Sequence, residues 1–62
     1  MKGDDVKRIR EGLEMSQVEF AGLLNVSVKT LQNWEQDRNE PNAAAVALLK
    51  LAESGRLNPR KK

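Results

Sequence analysis

The chain has 62 residues and neither cysteine nor histidine, which removes disulfides, Ser-His and Cys-His nucleophiles and the usual zinc ligand sets. Eleven basic and nine acidic side chains give a net charge of +2, but residues 1–26 hold four basic and five acidic groups while residues 27–62 hold seven and four. The longest apolar run, residues 43–49, is far short of the roughly 20 residues of a membrane span, and no signal-peptide segment opens the chain; a cytoplasmic binding module of one small domain is expected, not an enzyme.

The elements follow in chain order, and all of them are helical. Asp4 and Asp5 can cap or charge a helix start. Val6, Ile9 and Leu13 then recur at three- and four-residue spacing, the pattern of a helix with one apolar face. Gly12 suits the left-handed position after a helix, so the first helix is predicted over about 4–11. A helix starting so near residue 1 is expected of a trimmed or naturally minimal copy of a longer chain. Ser16-Gln17-Val18-Glu19 is a capping box, and Phe20, Ala21 and Leu24 follow on one face, predicting a second helix over about 17–24. Asn25 tolerates left-handed dihedrals. Ser27 is a second cap, and Leu31 and Trp34 give the apolar face of a third helix, about 28–35.

Residues 36–41 form a polar loop ending in proline, and Asn42 is the cap of a fourth helix over about 43–53. Its inward face is expected to hold Ala44, Ala47, Leu48 and Leu51. Ser54-Gly55 stops it. The expectation is an all-α bundle of four, or five, short helices over residues 1–55, with a loose basic tail over 56–62. That tail carries four bases and no acid, which suits either an anionic partner or a solubilising role.

A helix, a tight turn with a left-handed residue and a second helix make a helix-turn-helix. The run Ser-Gln-Val-Glu-Phe-Ala-Gly-Leu-Leu-Asn-Val-Ser-Val-Lys-Thr-Leu-Gln-Asn-Trp-Glu, residues 16–35, resembles the lambda-repressor and Cro (XRE) type of DNA-binding domain, one of the standard examples of this docking mode. Small Ala21 lets helix three cross closely, and Phe20, Leu24, Val26, Leu31 and Trp34 make the shared core. Asn25 stands where the family usually has glycine. The continuation Leu-Gln-Asn-Trp-Glu-Gln-Asp-Arg, then Glu-Pro and an Ala/Leu-rich helix, is similar to the branch containing HigA-type antitoxins of HigB/RelE-like toxins and NadS-like regulators.

The resemblance implies a sequence-specific double-stranded DNA-binding regulator, an autorepressor acting as a homodimer on a two-fold operator, with no cofactor or metal. The runner-up is an antitoxin that holds a cognate toxin protein, with DNA binding secondary. Helix three would enter the major groove. With Leu31 and Trp34 inward, Val28, Lys29, Gln32 and Asn33 project outward. Lysine can donate to guanine, the two amides can pair with adenine, and valine can touch a thymine methyl. Taken alone, these four suit a solvated helix face better, and the helix-turn-helix context reverses that preference. Gln17, at a helix N-terminus that attracts phosphate, would grip the backbone or brace a recognition side chain. Ser27 and Thr30 are further phosphate donors, although Ser27 also serves as a cap. Arg38 and Asn39 occupy the loop where family members touch the backbone, and exposed loop polarity explains them too. Arg10 and Glu35 fall where the family has a brace between helices one and three. Val46, Leu49 and Leu57 are candidate apolar contacts of a dimer.

Overall fold

A computed structural model describes residues 1–56. Four helices account for most of them: α1 (Gly3–Gly12), α2 (Gln17–Leu24), α3 (Val28–Glu35) and α4 (Ala43–Glu53). α3 packs against α1 and α2, and α4 packs against the same two helices. Val6, Ile9, Met15, Phe20, Ala21, Leu24, Leu31, Trp34, Ala45, Leu49 and Ala52 form one buried cluster. Met15, absent from the expected core, lies in it because the α1–α2 connection dips inward. Among the described residues no helix is long and apolar enough to cross a membrane. There is no fifth helix among them, and the expected loose tail beyond Arg56 lies outside them, as does Leu57.

Helix starts follow local chemistry. Ser16 Oγ accepts from Glu19 N at 3.1 Å while Ser16 N donates to Glu19 Oε1 at 3.0 Å, so both halves of the capping box are made. Ser27 Oγ accepts from Thr30 N and Asn42 Oδ1 from Ala45 N. At α1 the first helical residue is Gly3, one earlier than expected, and Asp5 accepts from Lys2 N at 3.3 Å instead of opening the helix.

Helix ends share one device. After each helix a residue takes a left-handed conformation: Glu14 (φ 59°), Asn25 (φ 60°), Asp37 (φ 61°) and Gly55 (φ 87°). In each case that residue's N–H and the next one reach back to carbonyls of the last turn. Arg38 N donates to Asn33 O at 2.9 Å and Arg56 N to Leu51 O at 2.9 Å, and Met15 N and Val26 N do the same to Arg10 O and Ala21 O. This is the Schellman arrangement, which satisfies carbonyls that a helix end would leave unpaired. The expectation that Gly12 supplies the left-handed residue of α1 is corrected. Gly12 is still helical, and Glu14 takes that role. Ending α1 later keeps Leu13 against the core, four residues after Ile9, and delivers Met15 into it.

The inward face of α4 is also corrected. Ala45, Leu49 and Ala52 are buried, whereas Ala44, Ala47 and Leu51 are exposed and Leu48 is half-buried. Leu49 is therefore core and not a dimer contact, and Val46 is half-buried. The cause is the entry to the helix. Buried Pro41 and the Asn42 cap put Ala45 on the inner side, and residues four and seven further on follow.

Candidate nucleic-acid interface

The α2–α3 unit is set by a three-residue connection. Asn25 turns the chain with φ 60° and ψ 43°, Val26 packs half-buried on the core, and Ser27 starts α3. Inside, Ala21 is almost fully buried beside Phe20 and Leu24, and Leu31 and Trp34 anchor α3 from behind. The anchoring decides what remains on the outer arc. Lys29 is exposed, and Gln32 and Asn33 are half-exposed. Val28, at the start of the same arc, is half-buried and leans on the core, so only part of its side chain faces outward.

A line of polar side chains connects this arc to the interior. Arg10 Nε donates to Glu35 Oε2 at 2.8 Å, its Nη2 to Glu35 Oε1 at 3.3 Å and its Nη1 to the Met15 carbonyl at 3.0 Å. The two side chains are only 14% and 6% exposed. A fork-to-fork pair of this kind is among the stronger charged contacts, and losing one partner would leave the other's charge nearly buried. Glu35 Oε1 also accepts from Gln17 Nε2 at 3.1 Å, and Gln17 Oε1 accepts from Gln32 Nε2 at 3.3 Å. The structure thus brings together Arg10, Glu35, Gln17 and Gln32, residues from three helices.

The hydroxyls divide their work. Ser27 Oγ accepts from Thr30 N and gives its proton to Thr30 Oγ1 at 2.9 Å. Ser27 is committed as a cap, and Thr30 Oγ1 is its acceptor. Arg38 and Asn39 are exposed just past the α3 end. Their loop is pinned, because Gly3 N donates to Asp37 Oδ1 at 2.8 Å.

Gly3 and Asp37 were not singled out in the sequence. At Gly3 an added Cβ would stand 2.6 Å from the Trp34 carbonyl oxygen and closer still to that of Glu35. The amino end of α1 therefore abuts the carboxyl end of α3, an electrostatically favourable meeting of opposite helix poles. Asp37 had a legible signal, since aspartate is among the residues that tolerate left-handed dihedrals. Gly3 had none, because its constraint comes from a helix more than thirty residues away.

The comparisons with known proteins agree with this geometry. A family model described as "Helix-turn-helix" matches residues 6–54. Antitoxin HigA-2 of Vibrio cholerae serotype O1 is 52% identical over 50 residues, which cover 81% of this chain and 48% of that protein. The chain thus spans about half the length of that relative. With four helices in this order and a family match across all of them but the start of α1, the chain belongs to the XRE-type helix-turn-helix family.

Proposed function

We propose that the chain is a sequence-specific double-stranded DNA-binding regulator, acting in the cytoplasm as a homodimer on a two-fold operator and repressing its own gene. The observation that carries this reading is the division of α3. Leu31 and Trp34 hold it in the core and Glu35 ties it to α1, while Lys29, Gln32 and Asn33 stay on its accessible arc. These three, with the outer part of Val28, would read base edges. Gln17, Thr30, Arg38 and Asn39 surround the arc and would grip phosphates, with Ser27 acting mainly through its cap. Arg10 and Glu35 are the brace that keeps α3 at a fixed angle. No cofactor or metal enters this reading.

The test is a footprint on the DNA upstream of its own gene. The expected result is a two-fold pattern with half-sites about one helical turn, roughly 34 Å, apart. Uniform protection of any duplex, with no preferred site, would sink it.

A second reading is favoured by the similarity to Antitoxin HigA-2. The chain would hold a small toxin protein and bind DNA secondarily. Co-purification with the product of an adjoining toxin gene, in the absence of DNA, would support it. Failure to form that complex while the footprint persists would leave the regulator alone.

A further inference from the structure

α1 begins without a local cap. The first N–H groups of a helix have no partner inside it. Lys2, at the cap position, makes no side-chain cap bond, since an ammonium has no acceptor to offer. Asp5, in the first turn, is engaged with Lys2 N and with Arg8. The acceptor for Gly3 N comes instead from the far side of the fold: Asp37 Oδ1, 34 residues away, at 2.8 Å. The contact of Gly3 with the Trp34 and Glu35 carbonyls fixes where that bond can form, because it sets backbone directly on backbone.

Aspartate is a costly choice at position 37 on two counts. Its φ is 61°, a conformation that glycine holds more cheaply. Its carboxylate also stands next to Arg38 and Asn39, where an approaching phosphate would be repelled by it. Neither the turn nor attraction to DNA asks for an acid there; the bond to the positive pole of α1 does. That bond ties the exit of α3 from one side. From the other side, Arg38 N and Asn39 N both donate to Asn33 O, at 2.9 and 3.5 Å. The Arg38 side chain therefore leaves from a backbone held to α1 and to α3, while its guanidinium makes no bond among the described residues. A group already held where it must bind loses less freedom on binding. We infer that Asp37, by capping α1 across the fold, positions Arg38 for the phosphate backbone, so that a carboxylate strengthens the hold on an anionic duplex. Asp37 is a positioning residue in this role, and the inference rests on the regulator reading, in which the loop after α3 meets DNA.

The experiment compares two variants of the full chain that remove the same charge. Asp37→Asn keeps an oxygen for Gly3 N and tolerates the left-handed turn. Asp37→Gly holds the turn and loses the bond. Thermal melts check that both are folded, and filter binding at one salt concentration gives their affinities for an arbitrary duplex and for the DNA upstream of the chain's own gene. Asp37→Asn should bind at least as tightly as wild type. Asp37→Gly should bind more weakly than Asp37→Asn by about 2- to 13-fold per protomer, the cost of ordering one long side chain on binding. The loss should be the same for both duplexes, because phosphate contacts carry no sequence information. With Arg38→Ala added to each, the two should bind alike. A general weakening of the fold would persist without Arg38, so only a positioning role makes the difference vanish there. Were the carboxylate merely a repulsive neighbour of the phosphates, Asp37→Gly would bind more tightly than wild type and as tightly as Asp37→Asn. That result, a difference that survives Arg38→Ala, or an Asp37→Gly chain that does not fold would overturn the inference and leave the regulator reading standing. A wild type that binds no duplex would overturn both.

Discussion

Gly3 and Gly22 show how little a residue type says without its surroundings. Both are helical glycines, yet Gly3 touches backbone carbonyls of α3 while a Cβ at Gly22 would meet nothing within 4 Å. Backbone cannot swing aside as a side-chain tip can, so Gly3→Ala must separate α1 from α3. The expected cost is about 1–3 kcal/mol, in the range of overpacked sites. Gly22→Ala should instead gain about 0.5–1 kcal/mol, because alanine loses less backbone entropy in a helix. For a domain of this size each kcal/mol moves the melting midpoint by about 4–8 °C. Thermal melts of the two variants should shift in opposite directions. Equal shifts would mean that the α1–α3 contact is not as close as described.

At the level of elements, legibility depends on whether a helix announces its own face. α2, α3 and α4 have the bounds their caps predict, since Ser16, Ser27 and Asn42 each use a short polar side chain that only a helix start requires. In α3, polar residues surround Leu31 and Trp34, so the apolar face is unambiguous. α4 is different: residues 43–49 are all apolar, and any rotation of the helix buries an acceptable set. Its phase comes from Pro41 and the capped first turn, which tertiary packing fixes and local pattern does not. The polar arc of α3 is legible in the same way as its core face, as is the Arg10–Glu35 pairing through the family resemblance. The continuation from Glu35 to Gln17 and Gln32 is not, because spacing along the chain does not reveal which amide meets which across two helices. The corrected α4 phase has a measurable consequence. Leu49 is fully buried and Leu51 is 39% exposed, so Leu49→Ala should cost about 2–5 kcal/mol and Leu51→Ala well under half of that. Urea titrations would show the difference in midpoint, and the reverse order would restore the phase first expected for α4.

Over the whole chain, the acidic excess lies in residues 1–26. Among the described residues from 27 onward basic and acidic groups balance, four against four, and the basic excess of that half comes from Arg60, Lys61 and Lys62, outside the described residues. Glu35, the acid nearest the polar arc, is neutralised by Arg10 and largely removed from solvent. Lys29 and Arg38 remain exposed at the start of α3 and just beyond its end, so an approaching duplex would meet basic groups at both ends of the helix. Binding that depends on them must weaken with salt, because each phosphate neutralised releases condensed counterions. Arg38 sits on a loop held by the Gly3–Asp37 bond and the Arg38 N to Asn33 O bond, both of which use backbone or Asp37 atoms and neither of which uses its guanidinium. Arg38→Ala should therefore leave the fold unchanged and remove one phosphate interaction per protomer. The slope of log affinity against log salt should become shallower by about 0.9 for each phosphate no longer neutralised, and affinity should fall by a similar factor for preferred and arbitrary duplexes alike. Filter binding across a salt series measures both quantities. An altered base preference with an unchanged slope would move Arg38 from the phosphate backbone to the base edges, and the docking of α3 would have to be turned to bring that loop into the groove.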